Sequence, residues 1–140
     1  MASKVFLDAN ILLDFLLKRD DYQDARQLIE QIVHKQLQGF ITPAIVHILG
    51  YWLTKAYGKV KAKELILSLM NDLTVIDCNH QTTLNALNSK IDDIEDALQY
   101  YAATQHKLHF FISRDKNLQK HSDKNLPIFS IKEFLALQKN

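Results

Sequence analysis

The stretch Lys4-Val5-Phe6-Leu7-Asp8-Ala9-Asn10-Ile11-Leu12-Leu13 carries the most information about this chain. An apolar run of strand length ends on a carboxylate, and a second apolar run of helical length follows at once. Removing a carboxylate from water is costly unless something pairs with it, and a divalent cation is one such partner. In open α/β sheets, ligands bind off the carboxyl ends of the strands. The other acids are therefore read for whether they converge on the same edge.

Working outward, short apolar runs alternate with longer helical patterns. Ile11–Leu17 and Tyr22–Gln36 read as helices, and Gly39-Phe40-Ile41-Thr42 as a second strand. Pro43 suits the first turn of a helix over Ile45–Tyr57, which ends near Gly58 as a C-cap. Lys59–Asn71 repeats apolar residues at Ala62, Leu65, Ile66 and Leu69, a helical period. Leu73–Ile76 reads as a third strand and His80–Leu87 as a short helix. Asp93–Gln105 follows as a long helix with Ile94, Ala97, Leu98, Tyr101 and Ala102 on one face. Leu108–Ile112 and Pro127–Phe129 complete the strands, and Ile131–Leu137 closes as a helix. Such alternation predicts an α/β fold: a mainly parallel central sheet of four to five strands, with helices on both faces.

Composition sets the bounds. At 140 residues, with 47% hydrophobic and 24% charged, the chain reads as a single domain over residues 1–140 with a proper core. The net charge of +1 points to no particular partner. Cys78 stands alone, which excludes an internal disulfide and fits a reducing, cytoplasmic setting. Asp8 and Asp14 interrupt the apolar start, so neither a signal peptide nor a membrane anchor is expected.

The densest acidic cluster is Asp92-Asp93-Ile94-Glu95-Asp96. Its ordinary role is helix capping, with Asp92 as N-cap and Glu95 as its capping-box partner. Asp93 and Asp96 are three apart and share a helix face, and Asp96 borders the apolar seam. Ser113-Arg114-Asp115 directly follows the strand Leu108–Ile112 and repeats the placement of Asp8. Its ordinary role is again an N-cap, by Ser113 or Asp115. Two strand-tip acids and one helix-borne pair at one sheet edge suit Mg²⁺ or Mn²⁺, which prefer hard carboxylate oxygens.

At this point the chain resembles a known family. Val5 to Asp14 is similar to the opening motif of the PIN domain. Asp93-Ile94-Glu95-Asp96-Ala97-Leu98-Gln99 and Ile112-Ser113-Arg114-Asp115 resemble its two later acidic motifs, in the right order. The likeness runs on to Pro127-Ile128-Phe129 and Glu133-Phe134-Leu135. It implies a PIN-like α/β/α sandwich and a Mg²⁺- or Mn²⁺-dependent endoribonuclease leaving a 5′-phosphate. Most often such a protein is the toxin of a VapBC-type toxin–antitoxin pair. By the match, Asp8, Asp96 and Asp115 are metal-site and catalytic acids and Asp93 is a neighbouring catalytic acid. Asn10 and Ser113 support the site through hydrogen bonds. RNA is the implied substrate, and a cognate antitoxin and a second copy of the chain are the implied protein partners.

One departure stands out. The family usually places a glutamate on the helix after the second strand, where this chain has Ile48. His47 adjoins it but points about 100° away around a helix of ~3.6 residues per turn, and reads as a satisfied structural histidine. The competing function is therefore a catalytically weak or inactive PIN-fold module that binds RNA or protein. A phosphatase of the haloacid-dehalogenase type ranks lower, because it needs an aspartate where Asn10 stands. Two lysine groups suit a polyanion: Lys55, Lys59, Lys61 and Lys63 around Gly58, and Arg114, Lys116, Lys120, Lys124, Lys132 and Lys139 toward the end. Ile45–Tyr57 is apolar nearly all round, which predicts burial on more than one side, in part against a second subunit or partner through Trp52 and the tyrosines.

Overall fold

The computed structural model describes residues 2–139. Its elements run β1 (Ser3–Leu7), α1 (Ala9–Leu16), α2 (Tyr22–Val33), β2 (Leu37–Ile41), α3 (Pro43–Tyr57), α4 (Lys59–Leu69) and β3 (Leu73–Val75). They continue α5 (His80–Leu87), α6 (Ile94–Gln105), β4 (Phe110–Ile112), α7 (Lys116–Gln119), β5 (Ile128–Phe129) and α8 (Ile131–Gln138). The five strands form one sheet in the order β3-β2-β1-β4-β5, and every neighbouring pair is parallel. The expected fold class is the observed one.

The order fixes where a site can form. From β1 the chain moves outward through β2 to β3, then returns to the other side of β1 for β4 and β5. Crossovers between parallel strands are right-handed, so reversing direction moves the connecting helices to the opposite face. The packing agrees: α1 contacts α2 and α3, and α3 contacts α4, whereas α5 pairs with α6. A central strand covered on both faces must be apolar throughout, and Val5, Phe6 and Leu7 are fully buried. Phe6 lies opposite Phe40 on one side and Phe111 on the other, stacking on Phe111 at 4.7 Å. The reversal between β1 and β4 is the topological switch point, the place where such sheets bind ligands.

Several boundaries differ from the expectations. β2 starts earlier, at Leu37, and Thr42 leaves the strand to cap α3, accepting from the Ile45 amide at 3.4 Å. β4 is shorter than expected, since Leu108 and His109 precede the ladder. α6 buries Ala97, Gln99, Tyr100, Ala102 and Ala103, while Ile94 is 63% exposed and stands outside that face. The Tyr100 hydroxyl sets this rotation by donating to the Leu126 carbonyl at 2.6 Å.

α3 is likewise not buried all round within this chain. Ile45, Leu49 and Leu53 fill one stripe at the core, whereas Tyr51 and Trp52 are 55% and 42% exposed. The two aromatic rings meet edge to face at 5.2 Å, and the Lys55 ammonium lies over both.

With only three glycines, the chain ends α1, α2 and α6 on lysines. Lys18, Lys35 and Lys107 take positive φ of 54°, 62° and 57°. In each case the next amide reaches back five residues, as Leu108 does to the Ala103 carbonyl at 3.1 Å, closing a Schellman motif.

Candidate active site

Asp8 ends β1 and caps α1. Its Oδ1 accepts from the Ala9 amide at 2.7 Å, and its Oδ2 accepts from the Ser113 hydroxyl at 2.8 Å. The second bond exists because Leu7 and Ile112 are register partners, so the residues that follow them emerge side by side. Asp8 is buried. Burial pushes its carboxyl up; the Ser113 and Ala9 donors pull it down, the nearby Asp115 charge raises it and Arg114 lowers it.

Asp115 caps α7, with Oδ1 accepting from the Asn117 and Leu118 amides at 2.9 and 3.2 Å. Its own amide donates to Ser113 Oγ at 3.1 Å. The fully buried Ser113 thus touches both acids, and the Gln119 side chain holds its carbonyl at 2.9 Å.

At the N-terminus of α6 the cap is Asp93, not Asp92. Asp93 Oδ1 accepts from the Asp96 amide at 2.9 Å. Asp92 and Asp93 are equivalent acids in the sequence, and the extended backbone of Asp93 (φ −75°, ψ 119°) decides between them. Asp93, Asp96 and Asp115 line one open cleft of about 330 Å³, rimmed by Lys120 and His121. The half-buried Asp96 carries the crowding. Burial, then the charges of Asp93, Asp8, Asp115 and Glu95, push its carboxyl from the ordinary 3.8 to about 7. Among the described residues none of Asp8, Asp93, Asp96 and Asp115 forms an ion pair.

Asn10 sits exposed on the first turn of α1, and its side chain makes no hydrogen bond among the described residues. Glu95 is the acid that sequence reading assigned to capping alone. Its carboxyl is raised by burial and then by Asp93 and Asp8, and lowered by His47. Glu95 therefore adds a further negative charge near Asp93 and Asp8. The available signal was its spacing, one residue from Asp96 in the first turn.

A PIN domain family model matches residues 4–117. The chain belongs to the PIN-domain family. This PIN domain resembles the structure of VapBC2 from Rickettsia felis bound to a DNA fragment from their promoter. The TM-score is 0.65 and the identity 16%, over 89% of this chain and 96% of that one. It also resembles a toxin–antitoxin complex from Klebsiella pneumoniae, with TM-score 0.67 and 17% identity over 87% of this chain and 94% of that one. At such identities the likeness is one of fold. No curated protein matches the chain.

The fold puts the family's missing glutamate in context. Ile48 is half-buried and packs against the core of this PIN domain. His47 is exposed, and its side chain makes no hydrogen bond among the described residues, so it is not the satisfied structural histidine expected. Among the described residues no three His, Cys, Asp or Glu side chains stand close enough to form a ready-made metal cage. The donor set nevertheless fits a hard divalent cation. Mg²⁺ takes one or two protein carboxylates and keeps several waters, and the acids here are held by hydrogen bonds without cationic partners. No helix among the described residues is long and apolar enough to cross a membrane.

Proposed function

We propose that this PIN domain is a Mg²⁺- or Mn²⁺-dependent endoribonuclease that hydrolyses RNA phosphodiester bonds. The observation that carries the reading is that Ser113 ties Asp8 to Asp115 at the β1/β4 switch point while Asp96 lines a cleft with Asp115, none of the three in an ion pair among the described residues. Asp8 and Asp115 would hold the ion from the two strand ends and Asp96 from α6, with Asp93 beside them. Nuclease chemistry is the family's activity, and the ion would supply an activated water and stabilise charge on the phosphate.

The chain's own residues supply the rest. Ser113 keeps the Asp8 carboxylate oriented by donating to Oδ2. The N-terminus of α6, capped by Asp93, places Asp96 at the mouth of the cleft. Lys120 on its rim suits the phosphates of a polyanion.

The wider reading is the toxin of a VapBC-type pair acting in the cytoplasm. It is supported by fold likeness to VapBC2 from Rickettsia felis and to a toxin–antitoxin complex from Klebsiella pneumoniae. A cognate antitoxin and a second copy of the chain are the proposed partners, and the exposed Tyr51 and Trp52 of α3 suit such a contact. The alternative is a weak or inactive RNA- or protein-binding module, favoured by Ile48 at the family's glutamate position.

The test is incubation of purified protein with varied RNAs and Mg²⁺ or Mn²⁺, beside EDTA and Asp8→Asn controls. The nuclease reading expects metal-dependent cleavage that both controls abolish. Intact RNA under every metal condition sinks it in favour of the binding module.

A further inference from the structure

We infer that Asp14 and Arg114 are positioning residues for the two strand-tip acids, an inference that rests on the divalent-cation reading of Asp8 and Asp115. Asp14 lies on the buried side of α1 and is 2% exposed. Arg114 Nη1 donates to its Oδ2 at 2.8 Å and to Asp21 Oδ2 at 3.3 Å. Arg19 stands 3.9 Å from Oδ1, an oxygen with no hydrogen-bond partner.

Arg114 is the residue between Ser113 and Asp115, so each member of this tripeptide is tied to a different element. Ser113 bonds to Asp8 at the end of β1, Arg114 to Asp14 on α1, and Asp115 to the first turn of α7. Since Asp8 caps α1, the contacts close a ring: Asp8, helix α1, Asp14, Arg114, Ser113 and Asp8 again. A loop left to its φ and ψ freedom would scatter the Asp115 carboxylate, and the ring removes that freedom.

A merely structural role does not account for this choice. Asp14 is buried but the Arg114 side chain is 46% exposed, and a pair with one partner in solvent adds little to stability, while an apolar side chain in place of the buried acid is often neutral or stabilising. The core face of α1, with Ile11, Leu12 and Leu13, has no need of a carboxylate for packing. What the charged pair adds is registry, since one guanidinium geometry satisfies Asp14 and Asp21 together.

The two roles of Arg114 predict opposite signs. Its positive charge already lowers the Asp8 carboxyl, so by charge alone its loss should tighten a cation at the acids. Positioning predicts a weaker site. The experiment titrates full-length protein with Mn²⁺ alone, reading free Mn²⁺ by electron paramagnetic resonance for wild type, Arg114→Gln, Arg114→Lys and the neighbouring charge control Lys116→Gln. Amide exchange on the metal-free proteins runs beside it.

Arg114→Gln should weaken Mn²⁺ binding about tenfold or more, the usual cost of losing an outer-shell partner. Arg114→Lys should recover part of the affinity, and Lys116→Gln should leave it unchanged or tighter. Exchange at the Asp115, Asn117 and Leu118 amides should quicken in Arg114→Gln while β1 stays protected. Equal or tighter Mn²⁺ binding by Arg114→Gln, or unchanged exchange at those amides, overturns the inference. If Arg114→Gln does not fold, Arg114→Lys carries the same two readouts. If wild type binds no Mn²⁺, the metal reading fails, and the exchange data still decide whether the ring orders the loop.

Discussion

The Ser113 hydroxyl lies 2.8 Å from Asp8 Oδ2, joining two buried side chains 105 positions apart in the chain. The contact follows from parallel pairing, because the register of Leu7 with Ile112 brings the next residues of β1 and β4 together. Ser113→Ala leaves that buried oxygen without its donor. An unmet buried polar group costs about 1–3 kcal/mol, and urea unfolding of the metal-free protein should show a loss in that range. An unchanged unfolding midpoint would mean that the bond contributes nothing.

Asp96 gives a prediction in which stability and activity move apart. Its carboxylate is crowded by Asp93, Asp8, Asp115 and Glu95. Asp96→Asn removes the repulsion, so the metal-free variant should melt at a higher temperature than wild type. The same change removes a proposed metal ligand worth several kcal/mol of transition-state stabilisation, so cleavage should fall about 100-fold or more. Parallel melting curves and RNA assays check both halves, and a variant that is both active and no more stable refutes the crowding account.

The same acid sets a pH dependence. Its carboxyl is raised in the folded protein from 3.8 to about 7. Between roughly those values the native state holds a proton that the unfolded chain releases, so stability falls as pH rises through the window. Asp8, Asp14 and Glu95 are raised as well and act in the same direction. Metal-free protein should therefore be more stable near pH 5.5 than near pH 8. Denaturant titrations at the two pH values decide it, and greater stability at the alkaline end contradicts the shifts.

Metal should reverse that trend. A cation that binds only the native state adds about 2.7 kcal/mol when present at about 100 times its Kd. The gain should be larger at pH 8 than at pH 5.5, because the ion must displace the proton on Asp96. Thermal melts with Mg²⁺ at both pH values measure it, with metal-free buffer as reference. No shift at millimolar Mg²⁺ argues against the site.

Lys107 ends α6 at φ 57°. A left-handed conformation costs an L-residue about 1–2 kcal/mol relative to the right-handed one, and glycine avoids the penalty. Part of the gain is lost to the greater freedom of glycine in the unfolded chain. Lys107→Gly should stabilise the protein by about 0.5–1 kcal/mol, read by urea titration, without changing RNA cleavage. A destabilised variant would show that the lysine side chain does more than turn the chain.

Much of this was legible from residues alone, and the reasons are physical. A strand buried on both faces must be continuously apolar, so Val5-Phe6-Leu7 announced β1 and the acid at its tip. The same logic placed Asp115 beyond β4. Helix capping was less legible, since Asp92 and Asp93 offer the same chemistry and only backbone geometry selects Asp93. Ile94 was misplaced because the rotation of α6 is set by a tertiary bond from Tyr100 to Leu126. The helix ends at Lys18, Lys35 and Lys107 carried no signal, as the chain uses lysine where glycine is usual. The Asp14–Arg114 pair was invisible for a similar reason: it joins residues 100 apart that meet only once β1 and β4 are neighbours.

The most direct measurement is an anomalous difference map from a crystal soaked in millimolar Mn²⁺. The account predicts a peak at the β1/β4 edge, between the carboxylates of Asp8, Asp96 and Asp115. A map with no peak there, or with Mn²⁺ only at acids elsewhere on the surface, contradicts it.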